Sequence, residues 1–156
     1  MRWLWLSFAV IVLDQLTKQA ALAWLQPGLP VSVIPGFFNW NLMFNTGAAF
    51  SFLSAAGGWQ RWFFIMLALV VSAIIVIWLR RLKPGEGWMA LGLALVLGGA
   101  LGNVIDRVLR GHVVDFIQWY FRSYYWPTFN LADSAITVGA TILVLHAVFG
   151  TRRTAR

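Results

Sequence analysis

The sequence predicts an all-α membrane protein of four transmembrane helices, with a small extracytoplasmic β-sheet and an interfacial helix in the outer loops. Three observations carry that expectation. Of 156 residues, 60% are apolar and 11% charged, against about 25% charge in a soluble domain, and mean hydropathy is +0.75. Apolar runs of about 20 residues, the length that crosses a bilayer core, recur along the chain. Basic residues gather where alternate runs end, as expected of cytoplasmic loops. The length suits one domain, residues 1–156, with spans at about 3–25, 60–79, 88–108 and 134–149.

The first span holds Asp14 and Lys18 four residues apart, on one helix face, where they can pair; Pro27, Gly28 and Pro30 end it. Its start resembles a secretory leader, but Asp14 and Lys18 interrupt the apolar stretch, so an uncleaved span is expected. In Phe38, Asn39, Trp40, Asn41 and Leu42 polar and apolar residues alternate. That pattern suits a strand with one wet and one apolar face, hence a small outer sheet.

The second span has Ser72 as its only polar side chain between Trp62 and Leu79, and Arg80, Arg81 and Lys83 stop it. Pro84 and Gly85 turn the chain into the third span. There Gly98, Gly99 and Gly102 let a neighbouring helix or a substrate approach the backbone closely. Phe116 to Trp126 is a dense aromatic run with Arg122, the composition of an element at headgroup level. The fourth span, with His146 near its end, precedes Arg152, Arg153 and Arg156.

Four spans leave both termini on one side. Arg2, the Arg80 to Lys83 cluster and the terminal arginines mark that side as cytoplasmic, and residues 26–60 contain no Lys or Arg. The net charge of +7 therefore reports topology. It forms no clustered basic patch of the kind that binds nucleic acid. With no cysteine there is no disulfide, thiol nucleophile or thiolate metal site. His112 and His146 fall on opposite sides, and a metal site lacks ligands of the usual spacing. Serine-base, Walker and dinucleotide motifs are also missing.

Of five acidic residues, Asp14, Asp106, Asp115 and Asp133 lie in or beside apolar segments, where a carboxylate is costly and usually functional. Asp115 and Asp133 both fall on the outer side. Two carboxylates brought together at an apolar boundary share a proton, leaving one as base toward water and the other as acid, which is the machinery of aspartic proteolysis. Each also has a plainer reading. Asp133 with Ser134 suits a helix cap, and Asp115 suits a solvated partner of Arg107 or Arg110. Asn103, Asp106 and Arg107 share a helix face and suit either a site wall or a satisfied helix end. Asn45 and Gly47 suit a turn. Asp14 with Lys18 reads as a structural ion pair.

These segments together resemble the bacterial lipoprotein signal peptidase family, signal peptidase II. The resemblance rests on Asp14, Gln15 and Lys18; the run Asn45, Thr46, Gly47, Ala48, Ala49 and Phe50; Gly98 through Arg107; Val113, Val114, Asp115 and Phe116; and Phe129 through Ser134. It implies an intramembrane aspartic endopeptidase of the bacterial cytoplasmic membrane. Such an enzyme removes the signal peptide from diacylglyceryl-modified prolipoproteins just before the lipidated cysteine. Asp115 and Asp133 would be catalytic. Asn45, Gly99, Asn103, Asp106, Arg107 and Asn130 would hold or orient substrate, and Asp14 would serve stability. The resemblance implies no metal or organic cofactor, and inhibition by globomycin; membrane lipid is the surrounding partner and a monomer the expected working state. A small multidrug transporter using Asp14 explains one aspartate, and a non-catalytic scaffold explains none of their clustering.

Overall fold

A computed structural model describes residues 2–47 and 57–149. Four helices, α1 (Trp3–Trp24), α2 (Trp59–Arg81), α3 (Gly87–Arg110) and α4 (Leu131–Phe149), are long and apolar enough to cross a membrane. Four strands, β1 (Val31–Ile34), β2 (Phe38–Asn45), β3 (Val113–Phe121) and β4 (Tyr124–Tyr125), form one antiparallel sheet in that order. Ala48, Ala49 and Phe50 of the family-like run, and Arg152, Arg153 and Arg156, lie outside the described residues.

Helix α3 is the central one, packed against each of the other three. Its small residues permit this. Carbon at the Cβ position of Gly98 would lie 2.7 Å from Val10 Cβ of α1, and at Gly92 it would lie 2.9 Å from the Gly139 carbonyl of α4. At Gly99 it would collide with the Ala132 carbonyl oxygen. The glycines thus serve helix contact, as small residues do where no solvent drives helices together. Large side chains such as Phe8, Met66, Ile74 and Val144 point outward from the other helices and stand exposed, as a lipid-facing surface requires.

Helix α3 stops at Gly111, which adopts φ 84° and donates its N–H to the Arg107 carbonyl. That left-handed residue, cheap only for glycine, turns the chain into β3. Strand β3 pairs with β2 from Phe38 opposite Trp119 to Asn45 opposite Val113, broken by an irregularity between Trp40 and Met43. At that break β3 turns its backbone to the segment before α4. Phe116 and Ile117 both donate to the Phe129 carbonyl, and Phe129 N–H returns a bond to Ile117. A bulge of this kind re-aims a strand, and here it ties the Asp115 strand to the start of α4.

Three expectations change. The aromatic run is strand, not helix: Phe116 to Phe121 belong to β3, and a tight hairpin leads to β4. Among the described residues the outer loops contain no interfacial helix. The asparagines of β2 do not face water. Asn39 and Asn41 are buried while Phe38 and Trp40 are half-buried, because β3 supplies Gln118, whose Oε1 accepts from Asn41. Finally, α4 begins three residues earlier than the fourth span was expected to, for a reason that belongs to the site.

Candidate active site

The first turn of α4 is closed by a reciprocal cap. Asp133 N–H donates to Asn130 Oδ1 at 2.9 Å, and Asn130 N–H donates to Asp133 Oδ2 at 3.3 Å. This is the capping-box pattern with Asn and Asp in its two places, and it starts the helix at Leu131. Asp133 is therefore part of a cap, as one reading had it, but its carboxylate has a second engagement. Its Oδ1 accepts from Asn103 Nδ2 at 2.8 Å.

Asp115 is 2% exposed, so it is no solvated partner of Arg107 or Arg110. Its Oδ1 accepts from Asn130 Nδ2 at 2.7 Å and its Oδ2 from Asn45 Nδ2 at 3.2 Å. Asn130 thus bonds both aspartates, through its side-chain amide to Asp115 and through its backbone to Asp133. Asn45 also has two roles: its Oδ1 takes the Gly47 N–H in a turn while its amide serves Asp115. The structure thus gathers Asn45, Asn103, Asn130, Asp115 and Asp133 from β2, α3, β3 and α4. Burial first, and the Asp133 charge second, push Asp115 up to about 7 against the pull of the Asn45 and Asn130 amides. Near neutral pH such a pair holds one proton between two carboxylates.

Asp106 goes elsewhere. Fully buried, it meets Lys18 Nζ at 2.9 Å and Arg110 at 2.6 Å, and accepts the Val114 N–H at 3.0 Å. Its sequence neighbour Arg107 is not its ion-pair partner, and no substrate can reach its carboxylate. Gly99, pressed against α4, offers no surface to a substrate either. Gln15, which sequence reasoning did not place at the site, donates to Asp106 Oδ1 at 3.0 Å and to the Gly102 carbonyl at 3.2 Å. Its position beside Asp14 was the available signal.

The expected Asp14 and Lys18 pair forms at 2.8 Å, with both side chains fully buried. Asp14 reaches further: its Oδ1 accepts the Ala132 N–H at 2.9 Å. A carboxylate at the positive end of a helix is stabilising, so Asp14 pins the first turn of α4, and Asp133 with it, to α1. A residue so enclosed is unsuited to carrying protons across a membrane.

Beside Asp133 lies a cavity of about 500 Å³, lined by Asn45, Asn103, Arg107 and Asp133 and by Trp119, Trp126 and Phe129 among others. Its wall continues along Ile136, Thr137 and Val138 of α4, and Val138 is exposed. The aromatic residues of β3 and beyond, read only as a headgroup element, thus wall a chamber next to the carboxylates. Arg107 Nη2 donates to the Gly47 carbonyl at 2.8 Å, and its guanidinium lies 5.2 Å from the Phe64 ring centre. Its Nε–H is buried without a partner among the described residues. No cluster of His, Asp and Glu suited to a metal ion occurs among those residues.

Two buried carboxylates held by neutral amides, in a fold whose helices can all cross a bilayer, define a membrane protein equipped for acid and base chemistry next to lipid. Residues 6–149 match the family model described as signal peptidase (SPase) II, and the chain belongs to that family. It is a peptidase of lipoprotein processing. The lipoprotein signal peptidase of Pseudomonas aeruginosa (strain UCBPP-PA14) is 59% identical over 144 residues, 92% of this chain and 85% of that protein. That of Xylella fastidiosa (strain M12) is 58% identical over 150 residues, 96% and 90% of the two chains. A solved bacterial membrane enzyme superposes with a TM-score of 0.86 at 31% identity, covering 99% of this chain and 92% of its own.

Proposed function

We propose that the protein is an aspartic endopeptidase that removes the signal peptide from diacylglyceryl-modified prolipoproteins, cutting just before the lipidated cysteine. Asp115 and Asp133 are its catalytic pair. The observation that carries this reading is that Asn130 bonds both carboxylates at once, with Asp115 pushed toward neutrality, beside a chamber that runs along an exposed helix.

The ionised carboxylate takes a proton from water as the water oxygen bonds to the scissile carbonyl carbon. The protonated partner gives its proton to the carbonyl oxygen. The tetrahedral species then collapses: its carbon–nitrogen bond breaks, the proton first taken from water passes to the leaving amine of the cysteine, and one hydroxyl proton returns to the partner carboxylate as the new carboxyl group forms. Arg107, which lines the chamber, offers its guanidinium to a substrate carbonyl, a role suited to a planar donor. Asn45, Asn103 and Asn130 act on the carboxylates, while Gly99 and Asp106 act through packing and charge. The acyl chains of the substrate stay against lipid and the apolar chamber wall, and globomycin competes for the same space.

Purified protein offered a diacylglyceryl prolipoprotein tests this. Wild type should release the signal peptide, globomycin should block release, and Asp115→Asn and Asp133→Asn should each lower the rate by roughly a thousandfold or more, as losing an essential acid or base does. Retained cleavage in either variant ends the assignment of the pair.

A further inference from the structure

Lys18 is a fully buried ammonium with three donors and three acceptors around it. Two are carboxylate oxygens, Asp14 Oδ2 at 2.8 Å and Asp106 Oδ2 at 2.9 Å. The third is neutral: Asn103 Oδ1 at 2.9 Å. Neutralising the two carboxylates does not require that third bond, so its consequence lies on the amide side. An ammonium has no acceptor. Asn103 must therefore turn its oxygen to Lys18, which leaves its NH₂ aimed at Asp133 Oδ1, 2.8 Å away. Asn130 Nδ2 reinforces the same orientation by donating to Asn103 Oδ1 at 3.2 Å. A flipped amide would set NH₂ against NH₃⁺ and present oxygen to a carboxylate, two repulsions in a dry site.

We infer that Lys18 is a positioning residue for the reaction: from α1 it locks the Asn103 amide so that a donor always meets the Asp133 carboxylate. The inference rests on the reading that Asp133 is one of the reacting groups. It separates Lys18 from Asp14, which acts on the backbone of α4, and makes the buried ion pair more than a brace. A polarised amide also donates more strongly, since hydrogen bonds in a chain reinforce one another. Lys18 makes no hydrogen bond or ion pair with Asp115 or Asp133 among the described residues; its charge also reaches both carboxylates at longer range, and the part of its effect that passes through Asn103 is what a double-mutant cycle isolates.

A double-mutant cycle tests this on the full chain in detergent, with kcat and KM measured separately on a diacylglyceryl prolipoprotein. Lys18→Met should lower kcat about tenfold or more while KM stays within about twofold, the split expected when an interaction on a reacting group is lost. In an Asn103→Ala background the same change should cost less than about twofold, because the two residues act as one unit. Where Lys18→Met alone does not fold, the same cycle is run on an Asp14→Asn background, in which removing Lys18 leaves Asp106 paired with Arg110. Losses of kcat that multiply in the double variant overturn the assignment, as does a change confined to KM. Wild type that cleaves nothing overturns the proposed function and this role with it; wild type that cleaves while the losses multiply overturns only the role.

Discussion

At the scale of single residues, the site works by surrounding charge with neutral donors. Each of the four oxygens of Asp115 and Asp133 accepts a hydrogen bond from an asparagine among the described residues. An asparagine amide supports a carboxylate without neutralising it, so the pair keeps both its basicity and its mutual repulsion. That repulsion sets a pH dependence. Burial and the Asp133 charge raise Asp115 to about 7, so the proton that makes one partner an acid is present below that pH and lost above it. Cleavage should hold up to near neutrality and then fall about tenfold per pH unit as the second carboxylate ionises. Values of kcat/KM measured between pH 5 and 9 check this, and a rate that stays level to the alkaline end would contradict it. The same residues show why sequence spacing leaves the pair undecided. Asp133 is at once cap and candidate catalyst, and Asn45 at once turn and carboxylate donor, so each plain reading is correct and incomplete.

At the scale of elements, the site is a junction, with one side chain or backbone group from α1, α3, β2, β3 and α4 each fixing another. Close packing of α3 on α4 sets the distance between Asn103 and Asp133. Gly99→Ala would drive a methyl into the Ala132 carbonyl, at the turn that carries Asp133. It should destabilise the protein by about 1–3 kcal/mol, the usual cost of overpacking, and lower kcat as α4 moves outward. A fall in thermal midpoint together with kcat supports the packing role; unchanged stability with a raised KM would return Gly99 to the substrate. The helices themselves were legible because span length and apolarity depend on no partner. The sheet was legible only at β2, since β1, β3 and β4 are defined by pairing with segments far away in sequence. The aromatic run of β3 was misread as helix because aromatic residues suit a headgroup-level helix and a strand equally. Asp106, expected at the substrate, is instead enclosed by Lys18 and Arg110; Lys18 stands on another helix, so spacing within α3 could not reveal it.

At the scale of the whole molecule, the proposed reaction requires that the sheet end face away from the cytoplasm, where a translocated signal peptide would present its cleavage site. The charges argue for that orientation. Arg80 and Arg81 close α2 at the end opposite the sheet, and Lys83 follows in the turn to α3, while residues 26–60 have no basic side chain. Holding positive loops in the cytoplasm is the dominant determinant of helix orientation. Reversing the molecule would carry Arg80, Arg81 and Lys83 across the membrane and leave Asp115 and Asp133 on the side where no cleavage site emerges. Because the chain has no cysteine, single cysteines report sidedness without background. Ser32→Cys in the exposed strand β1 should react with a membrane-impermeant maleimide in cells whose outer barrier has been opened, and Pro84→Cys in the exposed turn between α2 and α3 should react only after the inner membrane is lysed. Labelling of Pro84→Cys in intact spheroplasts, with Ser32→Cys protected, would invert the bundle. It would then separate the carboxylate pair from any lipoprotein precursor arriving from the far side.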